Sequence, residues 1–346
     1  MVKKIQKHIE IVRTDLPGLS SLSQVSANAI QTVLEQHYSI VGITQLNSLA
    51  DLERLVALRP DLVFSGIKYL TDAAEPTRRI WLSEYLEQHG INHTGSPKSA
   101  IQLELNKQLA KERVLNAGLK TAEYHLVAAG KLYNTDLRHI SFPQFVKPSD
   151  LGGGQGITDS SVVRNQAELQ AKIAELRQTY NAEIIVETYL SGNEYSVAVI
   201  RRMHSAELLV LPVEMVTVAN KNGDHILTQT VKTNDEESAV EVTDVLTKQL
   251  VVSLARGVFE ALGARDYGRI DMRLDADGIP HFLEANLIPS LISGYGSFPK
   301  SLLVNRGVTY ELMILKIVGV ALNRDYASVS ESDYADSQAL LPLAPR

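Results

Sequence analysis

The segment RIDMRLDADGIPHFLEAN, residues 269–286, contains acidic side chains whose spacing suits cation binding. Within it, Asp277-Gly278 separates two alternating runs, which predicts a hairpin with a two-residue turn because glycine adopts the positive φ that such turns need. Counting back from this turn places Asp271 opposite Glu284 on one face of the hairpin. Two facing carboxylates repel each other, so the pair predicts a cation between them.

Magnesium suits this face, because it prefers oxygen ligands and is commonly held by one or two carboxylates together with substrate phosphates. An amide oxygen of Asn286, which the same count places opposite Arg269, would complete the protein ligands. Four apolar residues of the two strands are predicted to face the core: Ile270, Met272, Leu283 and Ala285. The alternative is a solvated strand face on which the carboxylates are close by accident.

A glycine-rich loop in FVKPSDLGGGQGIT suits phosphate binding. Lys147 ends an apolar strand, and the glycines that follow, among them Gly153 and Gly154, allow backbone amides to approach a phosphate closely. The loop is not a Walker A motif, because the chain contains no GxxxxGK[ST]. The alternative is a mobile surface turn, since glycine clusters mostly mark loops.

A nucleoside could bind where the strand IIVETYL meets SGNEY. The backbone groups of Tyr189 and Leu190 could bond to a purine edge, and the Glu187 carboxylate could accept from its amino group. Glu194, seven residues after Glu187, could accept from ribose hydroxyls. Taken singly, each glutamate could equally be ordinary surface charge.

The composition is that of a globular protein with more than one core. At 346 residues the chain exceeds the size at which a single core stops growing, which predicts two or three domains. The formal charge of -6 provides no basic field, so no nucleic-acid partner is expected. The chain has no cysteine, which excludes disulfides and thiolate metal sites, and no apolar run reaches the ~20 residues that a membrane span needs. We expect a cytoplasmic protein that does not bind membranes.

The order of predicted elements indicates an α/β domain followed by two α+β units. Strand-like runs alternate with helical patterns through residues 1–93, as in an open parallel sheet. Residues 94–190 combine a helix predicted over 99–118 with strands and the glycine-rich loop. Residues 191–325 contain further strands, an amphipathic helix and the acidic hairpin. The tail, 326–346, is rich in Ser, Asp and Ala and is expected to be loosely ordered.

Six motifs in order resemble the ATP-grasp domain of the D-alanine:D-alanine ligase family: HTGS, NKQLAK, FVKPSDLGGGQG, VETYLSGNEYSV, GRID and FLEANLIP. They span roughly residues 91–301, and they imply a three-domain ATP-grasp fold of α/β and α+β parts. The resemblance implies phosphate binding by Lys107 and Lys147, adenine and ribose binding by Glu187 and Glu194, magnesium binding by Asp271, Glu284 and Asn286, and charge stabilisation at an acyl centre by Arg269.

The activity that the resemblance implies is ATP-dependent ligation of a carboxylate to an amine through an acyl-phosphate. Two Mg²⁺ ions are expected, with Mn²⁺ as a possible substitute. Lys232, in the polar stretch 220–240, is expected to reach the γ-phosphate from a closing loop. The implied partners are ATP, a small carboxylate, an amino acid and a second copy of the chain in a homodimer.

The substrate motifs depart from the family pattern. Ser21 stands where an amine-binding glutamate is expected, and HGxxGEDG is missing after the strand DLVFSGI. Gly153 replaces a loop serine, Ser290 replaces the glycine of NxxPG, and Gly296 stands near the place of a substrate-binding serine. These differences predict altered amino-acid specificity, with Arg269 and Ser290 as candidate catalytic residues. An authentic D-alanine:D-alanine ligase of cell-wall synthesis and a non-catalytic ATP-binding protein are the alternatives.

Overall fold

The computed structural model describes residues 3–16, 18–71, 75, 77–128, 137–180, 182–228, 230–231, 234 and 236–324. The tail 326–346 and Lys232 lie outside the described residues, so the predictions made for them stay predictions. Within the described ranges, no helix combines the length and the apolar character that crossing a membrane demands.

The described strands are β1 Ile5–Arg13, β2 Tyr38–Gln45, β3 Leu62–Ser65, β4 Tyr69–Thr71, β5 Arg79–Trp81, β6 Tyr124–Val127, β7 Gln144–Pro148, β8 Val162–Val163, β9 Ile184–Thr188, β10 Glu194–Arg201, β11 Leu208–Val216, β12 Ser238–Glu241, β13 Tyr267–Leu274 and β14 Pro280–Asn286. The described α-helices are α1 Gln24–Glu35, α2 Leu49–Ala57, α3 Leu82–Gln88, α4 Lys98–Glu104, α5 Lys107–Asn116, α6 Gln166–Tyr180, α7 Val245–Ala261, α8 Ser297–Arg306 and α9 Tyr310–Leu322. Short 3-10 turns cover Leu137–His139 and Asp159–Ser161.

The N-terminal sheet is parallel, with the strand order β2-β1-β3. Ile9 and Ile11 of β1 and Phe64 of β3 are fully buried in the core that also holds α1. In open parallel sheets, ligands bind beyond the carboxyl ends of the strands. The ends of β1 and β3, at Arg13 and Ser65, therefore mark one place where a ligand would be sought.

Two antiparallel sheets follow. The first has the order β6-β9-β7-β8 and is covered by α6, whose buried residues Leu169, Ile173 and Leu176 recur at helical spacing. The second has the order β12-β11-β10-β13-β14 and is buried on both faces, by α7 on one side and by α8 and α9 on the other. Burial on both faces explains why β10 contains a continuous apolar run over 197–200.

The helix predicted over 99–118 is wrong as a single element. It consists of α4 and α5, separated at 105–106. The Asn106 side chain accepts a hydrogen bond from the Leu109 backbone N–H at 3.0 Å, and asparagine favours such N-caps over helix interiors. The break makes Lys107 the first residue of α5.

The hairpin has the predicted facing carboxylates but not the predicted turn. The Asp275 N–H donates to the Ile279 carbonyl at 2.9 Å, so three residues form the loop, with Gly278 at a φ of 77°. This longer loop shifts the register by one, and Leu274 pairs with Pro280.

A β-bulge then restores the register nearer to the site. Asp271 pairs with Glu284, but the next residue, Met272, pairs with Phe282, which leaves Leu283 as the extra residue. Leu283 lines a cleft and is only partly buried, so its predicted position in the core is wrong. Phe282 takes that position in the core beside Met272.

Candidate active site

A cleft of about 760 Å³ is lined from both antiparallel sheets. The four-stranded sheet contributes residues of β7 and β9, and the five-stranded sheet contributes residues of β13 and β14. The lining includes many of the residues predicted from the sequence: Lys107, Lys147, Gly154, Glu187, Tyr189, Leu190, Glu194, Asp271 and Glu284. Residues that are distant in sequence therefore meet in one cavity.

A buried cluster of three charges lies at one side of the cleft. The Glu187 carboxylate forms ion pairs with Lys147 Nζ at 2.6 Å and with Lys111 Nζ at 2.8 Å. Lys111 comes from α5, and its Nζ also donates to Thr121 Oγ1 at 2.7 Å. All three charged side chains are almost completely buried, so the charges must compensate one another.

The cluster sets the protonation of its members. Burial by itself would raise the pKa of Glu187, but Lys111 and Lys147 hold that pKa at about 2. Burial lowers the pKa of Lys111, whereas the pKa of Lys147 is raised because Glu187 outweighs the effect of burial. Glu187 is therefore ionised at neutral pH with lysines at both oxygens, and an adenine amino group would have to share them.

Lys107 connects the glycine-rich loop to the hairpin. Its Nζ donates to the Leu151 carbonyl at 2.5 Å and lies 3.8 Å from Glu284 Oε2. Burial lowers the pKa of Lys107 despite the nearby carboxylate of Glu284. This placement brings a cation to the point where the glycine-rich loop and the acidic hairpin meet.

The glycine-rich loop contributes Gly154 to the cleft. Gly156 has a φ of 76°, and a Cβ added there would lie 2.8 Å from Pro148 Cγ, so only glycine fits. Gly153 is exposed and does not line the cleft in the described part of the chain.

At the predicted nucleoside end, Tyr189 and Leu190 follow β9 and Glu194 begins β10. Arg273 lies opposite Glu194 in the β10–β13 ladder, with 3.3 Å between its Nη1 and Glu194 Oε2. The Arg273 guanidinium also lies 5.3 Å from the Tyr189 ring centre and donates to the His225 carbonyl at 2.8 Å. Arg273 thus fixes both the aromatic ring and the acid at this end.

Asp271 and Glu284 face each other across β13 and β14. Arg269 donates to both Asp271 oxygens, from Nε at 2.9 Å and from Nη2 at 2.7 Å. Asp271 also accepts from Ser196 Oγ at 2.8 Å and from Asn286 Nδ2 at 3.3 Å. Burial alone would lower the pKa of Arg269, but Asp271 raises it. Asp271 is buried and ion-paired, which excludes a solvated strand face at this position.

The donor set of the hairpin fits a hard divalent cation. Two carboxylates and the Asn286 amide supply the oxygen chemistry that Mg²⁺ prefers. No group of three or more His, Asp or Glu side chains suited to metal binding occurs among the residues that the structure describes. The protein ligands would therefore need nucleotide phosphates to complete the coordination of the ion.

Predicted substrate-side residues lie apart from this cleft. Ser290 is partly buried in the segment between β14 and α8, beside Gly296, and it is not among the described residues that line the cleft. A second cavity, of about 440 Å³, lies beyond the ends of β1 and β3 and is lined in part by Ser21 and Lys68. Ser21 Oγ donates to the Gly66 carbonyl at 3.1 Å.

Lys111 and Arg273 are absent from the sequence-based predictions, although each has a signal. Lys111 follows Lys107 by four residues and so lies on the same face of α5. Arg273 follows Asp271 by two residues and so lies on the same face of β13. What neither spacing reveals is the partner, because Glu187 and Glu194 come from other elements.

The family model described as "D-ala D-ala ligase C-terminus" matches residues 114–319, more than half of the chain. A D-alanine–D-alanine ligase from Desulfotalea psychrophila is 27% identical over 287 residues, covering 82% of this chain and 85% of the relative. A D-alanine–D-alanine ligase from Cupriavidus metallidurans is 29% identical over 238 residues, covering 68% and 69%.

Among solved structures, a Bacillus anthracis D-alanine–D-alanine ligase complexed with ATP superposes with a TM-score of 0.69 at 21% identity, covering 91% of this chain and 97% of that one. A D-Ala:D-Ser ligase from Enterococcus faecalis gives a TM-score of 0.64 at 19% identity, covering 92% and 100%. At such identities the likeness shows the fold. The predicted ATP-grasp fold and the predicted family resemblance are confirmed.

Proposed function

This chain belongs to the D-ala D-ala ligase family of ATP-dependent C–N ligases, and we propose that it joins a small carboxylate to an amine through an acyl-phosphate. The observation that carries the proposal is the shared cleft, in which Lys107 and Lys147 lie with the facing carboxylates Asp271 and Glu284. Arg269 beside this pair argues against a protein that only binds ATP, since nucleotide binding alone does not call for it.

In the proposed reaction the γ-phosphoryl group of ATP moves to a carboxylate oxygen of the acid, and ADP leaves. The amine nitrogen then bonds to the carbonyl carbon, phosphate leaves, and the proton lost by the amine passes to solvent or phosphate. Lys107 and Lys147 hold the phosphates, and Arg269 stabilises the oxyanion that develops at the acyl centre. No protein nucleophile is needed.

The remaining predicted residues have four proposed roles. Glu187, Tyr189, Leu190 and Glu194 hold the nucleoside. Gly153 and Gly154 let the loop close over phosphate, and Lys232 reaches the γ-phosphate. Asp271, Glu284 and Asn286 hold Mg²⁺, or Mn²⁺ in its place, and Ser290 positions substrate. When bound, the metal neutralises charge on the phosphoryl group. The proposal includes two metal ions. It also includes a homodimer and a cytoplasmic location.

The domain limits are also proposed as read from the sequence. They are 1–93, 94–190 and 191–325, with a tail at 326–346. The sheets described above fall within the first three ranges, which supports these limits.

D-alanine is the first candidate for both substrates. The curated relatives at 27% and 29% identity are named D-alanine–D-alanine ligases, which favours that reaction over the altered specificity predicted from the sequence. Altered specificity remains the second candidate because of one observation: Ser21 and Lys68, rather than a carboxylate, line the cavity beyond β1 and β3.

The test is ATP turnover with a panel of acid and amine pairs, followed by mass spectrometry of the products. D-alanyl-D-alanine formed at a kcat/KM of about 10⁴ M⁻¹s⁻¹ or more would support the first candidate. Another amide, formed while D-alanine is a poor substrate, would support the second. ATP binding without ADP release for any pair would refute the ligase proposal.

A further inference from the structure

The second cavity is bordered by a charged pair that the reaction described above does not use. Lys68 follows β3 and lines the cavity, and its Nζ lies 2.6 Å from Glu104 Oε1 at the end of α4. The Glu104 side chain is 3% exposed, whereas that of Lys68 is 25% exposed. The pair therefore presents its positive end to the cavity.

The pair retains capacity for further hydrogen bonds. A lysine ammonium carries three N–H donors, and one of those on Lys68 is taken by Glu104. Glu104 Oε2 is buried and has no hydrogen-bond partner among the described residues. A purely structural pair at this depth would be expected to use more of its donors and acceptors, so Lys68 has N–H groups available to a ligand.

The other polar groups of the cavity wall are neutral. Ser20 Oγ donates to the Leu22 carbonyl at 2.8 Å, and Ser21 Oγ donates to the Gly66 carbonyl at 3.1 Å. No carboxylate lines this cavity within the described part of the chain. An ammonium group placed here would meet Lys68 without an anionic partner, whereas a carboxylate would meet a cation.

The cavity adjoins the reaction centre through α4 and α5. Leu105 lines it, two residues before Lys107 of the nucleotide cleft. Helix α4, which ends at Glu104, also contacts β14, the strand that contains Glu284. One end of a small substrate could thus lie at Lys68 while its other end lies near the hairpin.

We propose that Lys68 binds a second carboxylate of the acid substrate, so that the acid activated by ATP is a dicarboxylate, with or without an amino group. This rests on the proposed ligase function and names a substrate class for its second candidate, altered specificity. It departs from D-alanine, which brings an ammonium and no second carboxylate to this position.

The experiment compares wild type with the double variant Lys68→Met/Glu104→Gln, which removes both charges and leaves no buried carboxylate unpaired. ADP release is measured with succinate, D- and L-aspartate, D- and L-glutamate, and D- and L-alanine, each with an excess of D-alanine as amine. Lys98→Met is the matched control, because Lys98 also pairs with a glutamate, Glu84 at 2.8 Å, but lies outside the cavity. Thermal denaturation checks that each variant folds.

Wild type should use at least one dicarboxylate better than either alanine, and the double variant should lose roughly tenfold or more of that preference. Lys98→Met should keep it. Efficient use of D-alanine as the acid, with a selectivity that the double variant shares, would overturn the inference and leave the ligase proposal standing.

Absence of ADP release with every acid would instead refute the ligase proposal. In that case binding still decides the role of Lys68. If the same dicarboxylates raise the melting temperature of wild type but not that of the double variant, the inference is supported. If none of them raises the melting temperature of wild type, the inference is overturned.

Discussion

Replacing Lys111 by methionine should lower the free energy of unfolding by about 2 kcal/mol at neutral pH. Lys111 and Lys147 together hold the pKa of Glu187 at about 2 against an ordinary value of 4.5, a difference that corresponds to roughly 3 kcal/mol. Lys111 makes the larger contribution of the two. Methionine is similarly long and suits apolar surroundings, so little packing should be lost.

The decrease in the free energy of unfolding caused by Lys111→Met should depend on pH in a defined direction. The pKa of Glu187 is lower in the folded chain than in the unfolded chain. The stabilisation that the ionised Glu187 carboxylate provides is therefore complete above pH 4.5 and disappears as the pH falls towards 2. The difference between wild type and Lys111→Met should therefore be largest at neutral pH and shrink over that acidic range.

Lys172→Met is the matched control. Lys172 is as buried as Lys111, but its partner Glu175, 2.8 Å away, has a side chain that is 47% exposed. Removing Lys172 leaves a carboxylate that water can solvate, so the loss should be below about 1 kcal/mol. Urea denaturation followed by circular dichroism at several pH values measures both. Equal decreases in the free energy of unfolding for the two variants would refute the reasoning. A decrease for Lys111→Met that does not change with pH would also refute it.

Two further predictions concern the cleft. Glu284→Gln should reduce turnover by about 100-fold or more, because Glu284 would hold the metal. The melting temperature should not change, because Glu284 is partly exposed. Normal ADP release would contradict the metal assignment. Arg273→Met should raise the KM for ATP by about tenfold, with a smaller change in kcat, and weaken discrimination against 2′-deoxy-ATP, because the ion pair between Arg273 and Glu194 is lost. An unchanged KM and discrimination would leave Arg273 a purely structural role.

The acidic hairpin shows how far the sequence carries the prediction of the site. The facing of Asp271 and Glu284 is correct, yet it depends on two errors that cancel, a loop one residue longer than expected and a bulge at Leu283. Alternating apolar residues predict strands and their faces, but they contain no signal for one extra residue in a strand. The sequence therefore predicts the wrong face for Leu283, although it predicts the pairing of Asp271 with Glu284 correctly.

The buried charges mark where local reasoning stops. Glu187 and Lys147 are visible as polar residues in apolar strands, and the family resemblance suggests that both contact ATP. That Glu187 also balances two lysines depends on α5 packing against the four-stranded sheet, which places Lys111 beside it. Such a contact joins residues 76 positions apart, and no periodicity in the chain encodes it. The same holds for Lys68 and Glu104, which lie 36 positions apart.

The cleft carries opposite charge excesses in two neighbouring groups. Lys107, Lys111 and Lys147 outnumber Glu187 on one side. Around the facing carboxylates of the hairpin, Asp271 and Glu284 outnumber Arg269, because Arg273 of the same strand pairs with Glu194. A polyphosphate is attracted to the first group and repelled by the second. The two groups nevertheless meet, since Lys107 lies 3.8 Å from Glu284. A nucleotide held by the lysines, as proposed, would therefore bring its terminal phosphate against carboxylates. That encounter is favourable only with a cation between them, and this is the physical reason for assigning the metal to the hairpin.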